Sequence, residues 1–164
     1  MNDILDELST VLPQLNAEDD FERICAILIP EQPLGADEDE FEPPEASLDM
    51  IERYHDFLIP KLPVGLRLTG REDMGYFGWE ERFIWGAGNP DDYERLKRER
   101  GSYKDKFLFL KLDEYDEEVG ILVKVRRIND KKLFTIPLAD LDTCTEKCKE
   151  HRLIDDYATW IVNF

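Results

Sequence analysis

Two segments, KFLFLKL (Lys106–Leu112) and VGILVKVRRI (Val119–Ile128), restrict the fold more than any other part of the chain. In the second, Ile121, Val123 and Val125 alternate with Leu122, Lys124 and Arg126. That is the period of a strand with one face turned to a core. The turn NDKK (Asn129–Lys132) follows, and LFTIPL (Leu133–Leu138) reads as the returning strand. Pro137 has no amide hydrogen to give a ladder, so it belongs at that strand's end or at a sheet edge.

Helical spacing surrounds these strands. Ser47 is a good N-cap for a helix carrying Leu48, Ile51, Tyr54, His55 and Leu58 on one face and stopping at Pro60. His55 is read as a surface residue of that helix. In NPDDYERLKRER (Asn89–Arg100), Asn89 caps, Pro90 takes the first position, and the basic tail suits a helix C-terminus. RLIDDYATWIV (Arg152–Val162) closes the chain as a helix with Leu153, Ile154, Tyr157, Trp160 and Ile161 facing inward. VGLRLTG (Val64–Gly70) and WEERFIW (Trp79–Trp85) alternate like strands, the second with Trp79, Glu81, Phe83 and Trp85 on one face. This order predicts an α+β domain: a small antiparallel sheet or open β-barrel flanked by helices.

The N-terminal third differs. NDILDELSTVL (Asn2–Leu12) and AEDDFERICAILI (Ala17–Ile29) have helical periodicity and are broken by Pro13 and Pro30. Residues 1–29 are expected to form an acidic helical hairpin or appendage. PEQPLGADEDEFEPPEA (residues 30–46), rich in proline and acid, reads as a linker. The core domain is expected over 47–164.

Charge follows the same division. The net charge is −17, and residues 1–60 hold 17 acids against two bases, Arg23 and Arg53. A field of that sign repels phosphate backbones, which argues against nucleic acid, and attracts cations or a basic protein surface. No apolar stretch is long enough for a membrane span. The opening residues lack the basic region of a secretory signal, and three cysteines fit reduced thiols in a cytoplasm.

Few motifs carry chemistry. With two histidines, His55 and His151, no nucleophile–base arrangement has a credible spacing, and GAGN (Gly86–Asn89) lacks the pattern of a phosphate-cradling loop. Cys144, Cys148 and His151 have no second ligand pair for structural zinc. What remains is DEYDEE (Asp113–Glu118), five carboxylates in six residues between two strands. It is a solvated turn, a cation site, or a surface for a basic partner. Calcium takes several oxygen ligands from such loops, although no EF-hand pattern is present. The candidate ligands are Asp113, Glu114, Asp116, Glu117 and Glu118, with Asp140 and Asp142 of ADLD just after a strand.

Several stretches carry a family likeness: ASLDMIERYHDFL, LTGREDMGYFGWEERFIWGAGNPDDYERLK, SYKDKFLFL, LVKVRRINDKKLFTIPLADLD and the ending DDYATWIVNF. Through them, residues from about 41 to 164 resemble a family of small acidic bacterial calcium-binding proteins. The likeness includes a strand leading to a proline-leucine-x-x-leucine turn, here Pro137, Leu138 and Leu141, and a closing acidic, aromatic segment with Asp155, Asp156, Tyr157 and Trp160. It implies a cytoplasmic, non-enzymatic protein that binds calcium through loop carboxylates. The alternative is an interaction module of immunity or inhibitor type, whose acidic surface covers a basic protein partner.

Overall fold

The computed structural model describes residues 19–30, 42–71 and 75–164. The helix expected over Asn2–Leu12 and most of the acidic linker lie outside the described residues. The central hairpin is β2 (Lys106–Asp116) with β3 (Gly120–Arg127). β4 (Leu133–Pro137) returns beside β3, while β1 (Arg67–Gly70) and β5 (Leu141–Thr143) extend the sheet beyond β2. All pairs are antiparallel and the order is β4-β3-β2-β1-β5, so the sheet is open. The α+β expectation holds, and Pro137 is the last residue of an edge strand.

Five helices accompany the sheet among the described residues: α1 (Asp20–Leu28), α2 (Leu48–Leu58), α3 (Glu81–Ile84), α4 (Pro90–Glu99) and α5 (Lys149–Asn163). Two short 3-10 segments cover Gly75–Glu80 and Leu138–Asp140. Local chemistry starts the helices. Side chains of Asp19, Ser47 and Asn89 accept the amides of Phe21, Met50 and Asp91 at 2.9, 3.4 and 2.9 Å. No helix among the described residues is long and apolar enough to cross a membrane.

The inward phase of β3 buries Ile121, Val123 and Val125, as the alternation predicts. They join Phe107 and Phe109 of β2, Ile136 of β4, and Ile51, Tyr54, Leu58, Ile154, Tyr157 and Trp160 from α2 and α5 in one core. α1 belongs to that core, because its Ile24 and Leu28 are fully buried in the same cluster. Taking such an aliphatic side chain from water stabilises by about 1.5–3 kcal/mol, more than a surface ion pair contributes. Hydrophobic burial therefore attaches α1, and the buried Arg23–Asp156 pair at 2.7 Å fixes its register on α5.

Two expectations give way. Trp79–Trp85 is not a strand: the 3-10 segment runs into the single turn of α3. Trp79 and Phe83 are four residues apart, a helical spacing as well as an alternating one. They gather with Tyr93 of α4 at centroid distances of 5.1–6.3 Å. Helical geometry also inverts the acids, burying Glu80 and exposing Glu81. Nor is His55 on the surface. Its side chain is 13% exposed, packs its ring 5.0 Å from that of Tyr115, and brings Nε2 to 3.1 Å from the Asp113 carbonyl.

Candidate functional site

The acidic stretch extends a strand. β2 runs to Asp116, and only Glu117–Val119 form the turn. The loop expected over DEYDEE is thus corrected to a strand end with a three-residue turn. Alternation hides this because the β2–β3 register shifts twice, between Phe109 and Lys111 and between Leu112 and Tyr115. Each irregularity adds a residue and changes which side chains face inward. Phe107, Phe109, Leu112 and Tyr115 thereby all pack on the core, and the acids between them point elsewhere.

Asp116 builds the turn. Its Oδ1 accepts the amides of Glu118 and Val119 at 2.8 and 2.7 Å. The next residue, Gly120, has φ +72, and an added Cβ would run into the Tyr157 hydroxyl. The side chains of Asp113, Glu114, Glu117 and Glu118 have no hydrogen-bond or ion-pair partner among the described residues. Tyr115 lies beside this display. Burial first, then the carboxylates of Glu52 and Asp56 on α2, push its phenol above the usual range.

Asp140 and Asp142 are committed to other structure. Asp140 Oδ2 accepts the Tyr76 amide at 3.0 Å, and burial raises its carboxyl against the pull of that amide and of Arg71. Asp142 Oδ1 accepts the Thr143 amide at 2.7 Å and lies 3.0 Å from His151 Nδ1. Arg71 stands between acids, with Nη1 donating to Asp155 at 2.8 Å and Nη2 3.9 Å from Asp142. The seven candidate ligands are therefore not gathered at one point. Among the described residues no group of three or more His, Cys, Asp or Glu could hold a metal ion. Cys144 is exposed, and Cys148 Sγ donates to the Thr145 carbonyl at 3.1 Å.

Four buried charges among the described residues, Arg23, Glu80, Arg127 and Asp156, carry no motif. Arg127 follows Ile121, Val123 and Val125 in the inward phase of β3, a signal legible in the alternation. Its guanidinium binds Asp105 at 3.0 Å and Asp130 at 2.6 Å, and donates to the carbonyls of Lys97, Arg98 and Arg100 at 2.8–3.0 Å. That hydrogen bond to Arg127, above all, lowers the Asp130 carboxyl to about 2. Asp156 is held by Arg23 through both oxygens, yet burial keeps its carboxyl above the ordinary value. Glu80 is fully buried, and neither oxygen meets a hydrogen-bond partner among the described residues. Burial raises its carboxyl; Ser102 lies near enough to offset part of that, and Asp105 adds to it.

Compared with family models, curated proteins and solved structures, the chain matches none. The geometry offers a hairpin with unpaired carboxylates spread along its end and an aromatic ring beside them.

Proposed function

We propose that the protein is a non-enzymatic binding module whose acidic face engages a basic surface on a protein partner. One observation carries this reading: the carboxylates of Asp113, Glu114, Glu117 and Glu118 are unpartnered among the described residues and spread over a strand end and turn. Calcium takes six to eight oxygens at about 2.3–2.6 Å, which demands convergence. Spread charges instead complement an extended surface of opposite sign. Glu52 and Asp56 of α2 widen the face, and Tyr115, with Val119 40% exposed at the turn, supplies apolar contact inside it. The three free cysteines suit a reducing compartment such as the cytoplasm.

Calcium binding is the second reading. It is favoured by the same unneutralised charge, which a cation would relieve if the turn rearranged around it. One quadruple variant, with Asp113→Asn, Glu114→Gln, Glu117→Gln and Glu118→Gln, tests both. The module reading expects it to lose a partner that the wild type captures and that rebinds after purification, with calcium and magnesium giving equal, salt-sensitive heats in calorimetry. A saturable calcium heat that magnesium does not reproduce, and that the variant loses, would transfer the function to calcium. A partner retained by the variant would remove the hairpin from the interaction.

A further inference from the structure

Away from the acidic face, α1, α2 and the start of α5 enclose a cleft of ≈ 840 Å³ whose charge opposes that of the chain. Lys61, just after α2, and Lys147, Lys149 and Arg152, around the start of α5, line it and are exposed. Two carboxylates also line it. Asp156 is paired with Arg23, which leaves Glu146 against four exposed cations. Lys61 is held at the rim, with Nζ 5.6 Å from the centroid of the Phe57 ring.

The start of α5 adds to this. Its N-cap residue is Cys148, which makes no side-chain capping bond because its sulfur is turned to the Thr145 carbonyl. A 15-residue helix therefore presents its positive end without a side-chain cap. The floor gives an independent indication. Tyr54 lines the cleft, is fully buried, and its hydroxyl has no hydrogen-bond partner among the described residues. Leaving a buried hydroxyl unpaired is unfavourable, and a ligand atom accepting from it would remove that cost. Ile27, Phe57 and Leu153 form apolar walls, and the volume is that of a small-molecule site.

We propose that this cleft binds a small organic anion of the phosphate-monoester class. The lysines and helix start hold the phosphate, the Tyr54 hydroxyl donates to it, and the apolar walls take the organic body. The net charge of −17 disfavours diffuse binding of anions elsewhere on the chain.

Phenyl phosphate is the probe, titrated calorimetrically into the full chain, with benzyl alcohol and inorganic phosphate as controls. Saturable one-site binding is expected. Lys147→Ala with Lys149→Ala should weaken it about tenfold, while Lys111→Ala with Lys124→Ala, the same charge change on the outer face of the sheet, should leave it unchanged. Tyr54→Phe should weaken it about threefold through the lost hydrogen bond and raise the thermal midpoint of the free protein. Absence of saturation, equal weakening by the two lysine pairs, or benzyl alcohol binding as well as the ester would overturn the site. Inorganic phosphate binding as tightly as phenyl phosphate would overturn the monoester assignment.

Discussion

Arg127 and Glu80 are both charged and both buried around the end of α4, at 3% and 0% exposure, yet their surroundings are opposite. Arg127 meets two carboxylates and three carbonyls from the last turn of α4 and the residue after it, so one side chain caps a helix and ties it to the sheet. Glu80 meets no donor at hydrogen-bond geometry among the described residues, although Ser102 and Asp105 lie near it. Burial alone does not decide the energetic sign of a charge here. Its partners do. A satisfied buried charge is costly to remove, and an unsatisfied one is costly to keep.

The largest expected effect is at the satisfied site. Arg127→Met should cost about 3–5 kcal/mol in urea unfolding, because it strands Asp105 and the α4 carbonyls. A loss under about 1 kcal/mol would place this network with ordinary surface ion pairs. Arg23–Asp156 is the intermediate case. Asp156→Asn keeps the shape but breaks the charge pair, and about 2–3 kcal/mol should be lost in the same assay. Glu80 should behave in the reverse sense. Glu80→Met removes a buried carboxylate that has no hydrogen-bond partner among the described residues and should stabilise at neutral pH by about 1–2 kcal/mol; a destabilised variant would mean that Glu80 has a partner.

The smallest effect separates the two sites by pH. The raised carboxyl of Glu80 makes the folded state bind its proton more readily than the unfolded chain. Stability from this group therefore falls as pH rises from about 4.3, the unfolded value, through the raised one. Asp130, lowered to about 2 beside Arg127, acts in the other direction. Its contribution is complete above the unfolded value of about 3.9 and is lost as pH falls toward the folded one. Thermal midpoints measured in acid should show Glu80→Met losing the first slope and Asp130→Asn losing the second. Parallel profiles for wild type and both variants would contradict the assignment.

Features fixed by neighbouring residues were legible in the sequence. The β3 alternation, the NDKK turn, the caps at Ser47 and Asn89 and the terminal position of Pro137 each follow from residues a few positions apart. Trp79–Trp85 was not legible because aromatic residues at 79 and 83 satisfy both periods, and only Tyr93 on another helix decides between them. The extent of β2 was hidden by two register shifts that spoil alternation where DEYDEE begins. Asp140 and Asp142 look like a pair two residues apart, but their partners, Tyr76, Arg71 and His151, come from other elements. Arg23 meets Asp156 across 133 positions, a contact without local periodicity.

The ends of the sheet bear on how copies of this chain meet one another. Its two edges are β4, five residues closed by a proline, and β5, three residues long. An incoming strand needs a row of free amides and carbonyls to dock on. Pro137 withholds an amide from the first edge, and the second is too short to template much of a ladder. The apolar β3 lies between β2 and β4, and β1 covers β2 over Lys106–Leu108, while the far end of β2 carries Asp113, Glu114 and Asp116, charges that oppose an incoming strand. Intermolecular strand addition is thus obstructed at both ends of the sheet.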